Sequence, residues 1–178
     1  MAGSRPLTKE EIGSIMDQLK NPRDRALVLV SAKTGYRISE ILSIKVQDVV
    51  QYGQIRDSIT VTRANMKGKT CSRTVVLHQE AKKALEEMGV LNMELGKLLF
   101  PIQRMQASRI LKEATHRARI GGKVSFHSLR KHFAKKVHDL FGKDIVKTQK
   151  ALGHKSLSST AHYLQFDQQE IDQAILNT

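Results

Sequence analysis

The segment from residue 22 to about residue 33 constrains the fold more than any other. Pro22 suits the first turn of a helix, and Gly35 suits the position just past its end. The run Ala26-Leu-Val-Leu-Val30 makes this helix apolar on nearly every side. Such a helix must be covered all round by other elements. We therefore expect it at the centre of the core.

Further helices are predicted around this central one. The first spans residues 8 to 20, where Thr8 and Glu11 have the spacing of a capping box. Ile12, Ile15, Met16 and Leu19 form its apolar stripe. Similar periodicity predicts helices at 38–44, 80–88, 106–119, 126–140 and 144–152, followed by two short helices, the last at about 168–176.

One stretch has the period of a β-strand instead. Ile59 and Val61 alternate with threonines, and residues 73–77 are β-branched and apolar. The polar segment 65–70, with Gly68 inside it, predicts the turn of a hairpin. The fold class is therefore mainly α (α+β), a helical bundle with a small antiparallel β-sheet or hairpin. Because no repeat or long linker interrupts the chain, residues 1–178 are expected to form a single domain.

Charge gives the first indication of function. Lysine and arginine number 30 against 17 acidic residues, a net charge of +13. Such an excess repels itself in a compact fold unless a polyanion neutralises it, and nucleic acid is the commonest polyanion partner. An anionic membrane surface, or solubility alone, is the alternative explanation.

Other classes of protein are disfavoured. The longest apolar stretch, Ala26 to Val30, is too short to cross a bilayer, and no signal peptide opens the chain. The single cysteine, Cys71, can form no internal disulfide and fits a reducing cytosol, so a cytoplasmic location is expected. No cluster of cysteines or histidines with the spacing of metal ligands is present, so no metal site is expected.

Short motifs then narrow the function. The sequence reads T-G-Y-R-I-S-E from Thr34 to Glu40 and H-S-L-R from His127 to Arg130. It reads L-G-H from Leu152 to His154, and Tyr163 follows nine positions after that histidine. In this order the motifs resemble the catalytic domain of the tyrosine recombinases, the family of phage integrases. Each motif alone is weak, whereas all of them in register are specific.

The resemblance implies a fold and a chemistry. The fold would be that of the tyrosine recombinase catalytic domain, and the activity the cleavage and rejoining of DNA through a 3′-phosphotyrosine. Arg37 and Arg130 would clamp the scissile phosphate, His127 would be the general base, and His154 would hydrogen-bond the phosphate. Tyr163 would be the nucleophile.

A lysine in the hairpin turn would be the general acid. Lys67 and Lys69 flank Gly68, and either fits, with Lys67 preferred. Because the phosphotyrosine would conserve the energy of the phosphodiester, neither cofactor nor metal is implied.

Residue patterns support two of these assignments independently. Arg130 falls at the edge of the apolar stripe of its helix, so it is expected to be partly buried and to need an anionic or carbonyl partner. The other tyrosines are less suited than Tyr163: Tyr36 is expected in the core, and Tyr52 lies far from the motifs.

The resemblance also predicts partners and has one departure. Double-stranded DNA would be the substrate, bound by a tetramer of chains, and part of the basic face at Arg109, Lys112, His116, Arg117 and Arg119 would meet its phosphates. The N-terminal core-binding domain usual in the family is expected to be absent, as in a fragment or a minimal recombinase. A type IB topoisomerase-like enzyme and a DNA-binding regulator without catalysis are the alternatives.

Overall fold

In the computed structural model, which describes residues 4–62, 72–154 and 156–164, the predicted central helix is α2 (Pro22–Thr34). Ala26, Leu27, Val28 and Val30 on this helix are completely buried. Asn21 caps its first turn by accepting a hydrogen bond from the Arg23 backbone. The apolar run therefore forms the core, as predicted.

Two helices flank α2 in sequence. The first, α1 (Lys9–Gln18), begins with the predicted capping box of Thr8 and Glu11. The second, α3 (Ile38–Ile41), is shorter than the predicted 38–44. It ends early because the Ser43 side chain and backbone both hydrogen-bond the Glu40 carbonyl. After α3, Lys45 pairs with Leu98 in an isolated antiparallel β-bridge.

The predicted hairpin is confirmed in its strands. Strands β3 (Ser58–Val61) and β4 (Arg73–Val76) pair antiparallel, and the turn predicted at 65–70 lies outside the described residues. Within β4, Arg73 is buried although it is charged, and Val76 is 73% exposed although it is apolar. A smaller hairpin, β1 (Val50–Gln51) and β2 (Gln54–Ile55), precedes it and was not predicted.

The remaining helices are all confirmed: four match their predicted bounds to within two residues at each end, and the last was predicted without bounds. They are α4 (Gln79–Glu87), α5 (Arg104–Arg117), α6 (Phe126–Leu140), α7 (Ile145–Leu152) and α8 (Leu157–Leu164). Helix α2 packs against α4, and α1 packs against α5. None of the helices among the described residues has both the length and the apolarity to cross a membrane. The helix predicted at about 168–176 falls outside those residues.

The chain divides into two compact units with the boundary between Phe133 and Ala134. In the second unit α7 packs against α8. Asp144 caps α7 by accepting from two backbone N–H groups, and Gly153, at φ +62°, ends it.

Gly35 ends α2 in a conformation that only glycine adopts without cost. Its φ is +59°, in the left-handed region. A Cβ at this position would also collide with the ring of Phe133 in the same unit. Glycine is therefore required twice, for its backbone angle and for its lack of a side chain.

We expect Gly35→Ala to lower the free energy of unfolding by about 2–5 kcal/mol, the sum of a left-handed alanine and an overpacked contact. Urea denaturation measures the change. Gly89→Ala is the matched control, since Gly89 has φ +78° but nothing within 4 Å of a built Cβ. It should cost only the dihedral part, about 1–2 kcal/mol. Equal losses in the two variants would contradict the collision with Phe133.

Candidate active site

Arg37 is held by a buried carboxylate. Its backbone N–H donates to Oε2 of Glu40 at 2.8 Å, and its guanidinium donates to Oε1 at 2.9 Å. Glu40 is only 2% exposed, whereas about a third of the Arg37 side chain is accessible. The ion pair with Glu40 therefore leaves part of the Arg37 side chain open to a ligand. Tyr36 beside it is buried, as predicted.

Arg130 lies deeper than the sequence indicated. It is 1% exposed, not partly buried at the edge of a stripe. The required partner is a backbone carbonyl, because Nη1 of Arg130 donates to the oxygen of Gly35. This bond joins α6 to the turn that follows α2, two residues before Arg37.

The two arginines and His127 line one cavity of the first unit. Its volume is about 330 Å³. The other lining residues are Ile38, Ser39, Arg104, Ser108, Ser125 and Phe126. The convergence of Arg37 with Arg130 predicted from the sequence is therefore present in the structure. Together these guanidiniums form a pocket suited to an oxyanion such as a phosphate.

Arg104 is a cavity residue that the sequence analysis missed. It is the first residue of α5, which begins two residues earlier than the predicted 106. The only signal in the sequence was a basic residue five positions before Arg109, the first residue of the predicted basic face. Its position contributes a further positive charge to the same pocket.

The pocket changes the acidity of His127. The pKa of His127 is lowered from its usual value near 6.5, first by burial of its ring, although the residue still reaches solvent. The positive charges of Arg130, Arg104 and Arg37 lower it further. The neutral ring is therefore favoured at neutral pH, which is the form that can accept a proton.

The second unit contains the other two predicted residues that the structure describes. His154 follows Gly153 and is 8% exposed, and its Nδ1 lies 2.9 Å from the hydroxyl of Thr160. Its ring meets the ring of Tyr163 edge to face, with centroids 5.0 Å apart. Histidine and tyrosine are thus in direct contact within this unit. Lys67 and Lys69 lie outside the described residues.

The family model described as the phage integrase family matches residues 5–170. The chain belongs to this family.

Individual relatives agree. The chain is 32% identical over 156 residues to the probable integrase/recombinase YoeC of Bacillus subtilis, an alignment covering 84% of this chain and 81% of YoeC. The crystal structure of XerA recombinase superposes with a TM-score of 0.77 at 26% identity, covering 97% of this chain and 63% of XerA. A XerH recombinase structure, bound to palindromic difH substrate in a post-cleavage complex, superposes with a TM-score of 0.74 at 23% identity. This likeness shows the shared fold.

These comparisons confirm the family and the fold class predicted from the motifs. The relatives are integrases and recombinases, which agrees with the predicted recombinase and not with the topoisomerase-like or regulatory alternatives. The chain spans 63% of XerA and about half of the Xer recombinases of Campylobacter jejuni and Caldanaerobacter subterraneus that it matches.

Removing a positive charge from the pocket should raise the pKa of His127 towards its usual value. We expect this for Arg104→Gln, because Arg104 is among the cations that lower that pKa. The ring signals of His127 followed by NMR against pH measure it. The matched control is Arg109→Gln, an exposed arginine of the same helix that does not line the cavity. An unchanged titration in Arg104→Gln, or an equal rise in the control, would contradict the described pocket.

Proposed function

We propose that the chain is the catalytic part of a site-specific tyrosine recombinase, which cuts and rejoins double-stranded DNA through a 3′-phosphotyrosine intermediate. The observation that carries the proposal is the cavity lined by Arg37, His127 and Arg130. Family membership supplies the reaction class, and the pocket supplies groups that suit it.

The arginines act on the charge of the transition state. In-line attack on a phosphodiester spreads negative charge over the non-bridging oxygens. The guanidiniums of Arg37 and Arg130 match that oxygen geometry with paired hydrogen bonds and stabilise the charge as it develops. Burial of Arg130 strengthens its contribution, because the electrostatic interaction is less screened inside the protein.

Tyr163 is the proposed nucleophile. A phenol has a pKa of about 10, so it must lose its proton as it attacks. His127, kept neutral by the pocket, receives that proton in our proposal. Tyr163 then bonds to the phosphorus, the 5′-oxygen leaves, and His154 hydrogen-bonds a phosphate oxygen.

The leaving 5′-oxygen needs a proton, because an alkoxide is a poor leaving group. We assign its delivery to Lys67, with Lys69 as the alternative. The 5′-hydroxyl of a partner strand later attacks the phosphotyrosine and releases Tyr163. The phosphodiester energy is conserved throughout, so the reaction needs neither ATP nor a metal ion.

The partners follow from the same chemistry. The solved XerH complex contains a difH DNA substrate, and we propose double-stranded DNA as the substrate here as well. The exposed basic residues of α5, among them Arg109, Lys112 and Arg117, would neutralise backbone phosphates. We further propose assembly into a tetramer on DNA, with cytoplasmic DNA as the place of action.

A covalent adduct tests the nucleophile. In a duplex nicked just downstream of the cleavage position, the short fragment that carries the new 5′-hydroxyl diffuses away, so the phosphotyrosine accumulates. We expect a DNA-shifted band on a denaturing gel, absent in Tyr163→Phe. Tyr52→Phe is the matched control, because Tyr52 is 95% exposed and outside the cavity, and it should form adduct normally. An adduct that persists in Tyr163→Phe would overturn the assignment.

Replacing the leaving oxygen by sulfur tests the general acid. A thiol is far more acidic than an alcohol, so its anion leaves without a proton. We expect Lys67→Met to slow cleavage of ordinary DNA by roughly 100- to 10,000-fold, and to cleave the 5′-bridging phosphorothioate at close to the wild-type rate. Lys69→Met should cleave both substrates normally. If the two variants exchanged these behaviours, Lys69 would be the acid.

A further inference from the structure

Arg73 is a buried arginine to which the reaction above gives no role. It is the first residue of β4 and is 7% exposed. Burial lowers the pKa of its guanidinium, since the charged form loses its water. An arginine in such a position is costly unless it binds other polar groups.

The guanidinium binds the turn that leads to Arg37. Its Nη2 donates to the carbonyl of Thr34 at 2.8 Å, and its Nη1 lies 3.4 Å from the carbonyl of Gly35. The same guanidinium lies over the ring of Tyr36, 4.6 Å from the centroid. Arg73 therefore contacts each of the residues 34, 35 and 36.

The contact is reciprocal. The hydroxyl of Tyr36 lies 2.9 Å from the carbonyl of Ile59 and 2.6 Å from the carbonyl of Arg73. These carbonyls belong to β3 and β4 respectively. The Arg73 side chain thus binds the turn from β4, and the Tyr36 side chain binds β3 and β4 from the turn. Together they hold the turn against both strands of the hairpin.

The Gly35 carbonyl connects Arg73 with the active site. This oxygen also accepts from Arg130, the buried arginine of the cavity. A carbonyl has two lone pairs, so it can accept from both guanidiniums. A displacement of this one oxygen would move the anchor of Arg130 and the backbone beside Arg37 together.

We infer that Arg73 is a positioning residue, which fixes the turn 34–36 so that Arg37 and Arg130 converge on the same phosphate. It does not line the cavity, so we assign it no direct contact with the phosphate. The inference rests on the proposed function for its chemical consequence. Its structural part, the anchoring of the turn, stands without it.

Two substitutions and one control test the inference. Arg73→Met removes the donors, and Arg73→Lys keeps the charge but has a single ammonium group in place of the planar fork. Arg25→Met is the matched control, because Arg25 also donates to two backbone carbonyls, those of Met16 and Leu19, away from the cavity. All are compared at a temperature where circular dichroism shows them folded.

The kinetic measurement is single-turnover cleavage of nicked DNA with either a normal or a methylphosphonate group at the cleavage position. The methylphosphonate carries no negative charge for the arginines to neutralise. We expect Arg73→Met to cleave normal DNA roughly 10- to 100-fold more slowly at saturating DNA. On the methylphosphonate, Arg73→Met should lose less rate relative to wild type. The logarithm of this loss should be less than about half of its value on normal DNA. Arg73→Lys should lie between Arg73→Met and wild type, and Arg25→Met should match wild type.

Hydrogen exchange separates this inference from the proposed function. We expect the backbone N–H groups of residues 34–37 to exchange faster in Arg73→Met than in Arg25→Met, whether or not DNA is cleaved. Slow exchange as in wild type would overturn the positioning role. A wild-type protein that forms no adduct, with fast exchange in Arg73→Met, would overturn the proposed function alone. An equal loss of cleavage rate on both substrates would also overturn the positioning role, because Arg73 would then act only through general stability.

Discussion

The oxygen of Gly35 receives hydrogen bonds from two buried guanidiniums, and the geometry of the cavity depends on this arrangement. Arg130 comes from α6 and Arg73 from β4, so a helix and a sheet meet at one backbone atom. Buried cations are stable only where polar groups replace their water. The turn after α2 provides those groups, and its left-handed glycine is what allows the chain to pass close to the Phe133 ring.

Much of the fold follows from apolar periodicity. The apolar run 26–30 required α2 to be central, and α6 has the bounds that its stripe predicted. The elements that the sequence analysis predicted wrongly or not at all have local causes. Helix α3 ends early because Ser43 competes for the Glu40 carbonyl. The β1–β2 hairpin turns at Tyr52 with φ +51°, a residue type that turn rules do not favour there.

The candidate site was predictable to the extent that it consists of motifs. Arg37, His127 and Arg130 lie within recognisable segments, and the structure brings them to one cavity. Arg73 gave no such signal, because the carbonyl groups that justify its burial come from residues 38 and 39 positions earlier in the chain. Periodicity describes the faces of single elements. It carries no information on which backbone oxygens a distant side chain will meet.

The contacts of His154 have a consequence for any rearrangement of α8. His154 contacts Thr160 through a ring nitrogen and packs against the ring of Tyr163, and both partners belong to α8. Thr160 is fully buried, so this attachment is not a loose surface contact. A rearrangement of α8 would therefore take the imidazole of His154 along with the phenol of Tyr163. Tyr163 and His154 are thus coupled, and an evolutionary or engineered exchange of α8 would have to keep both of these contacts.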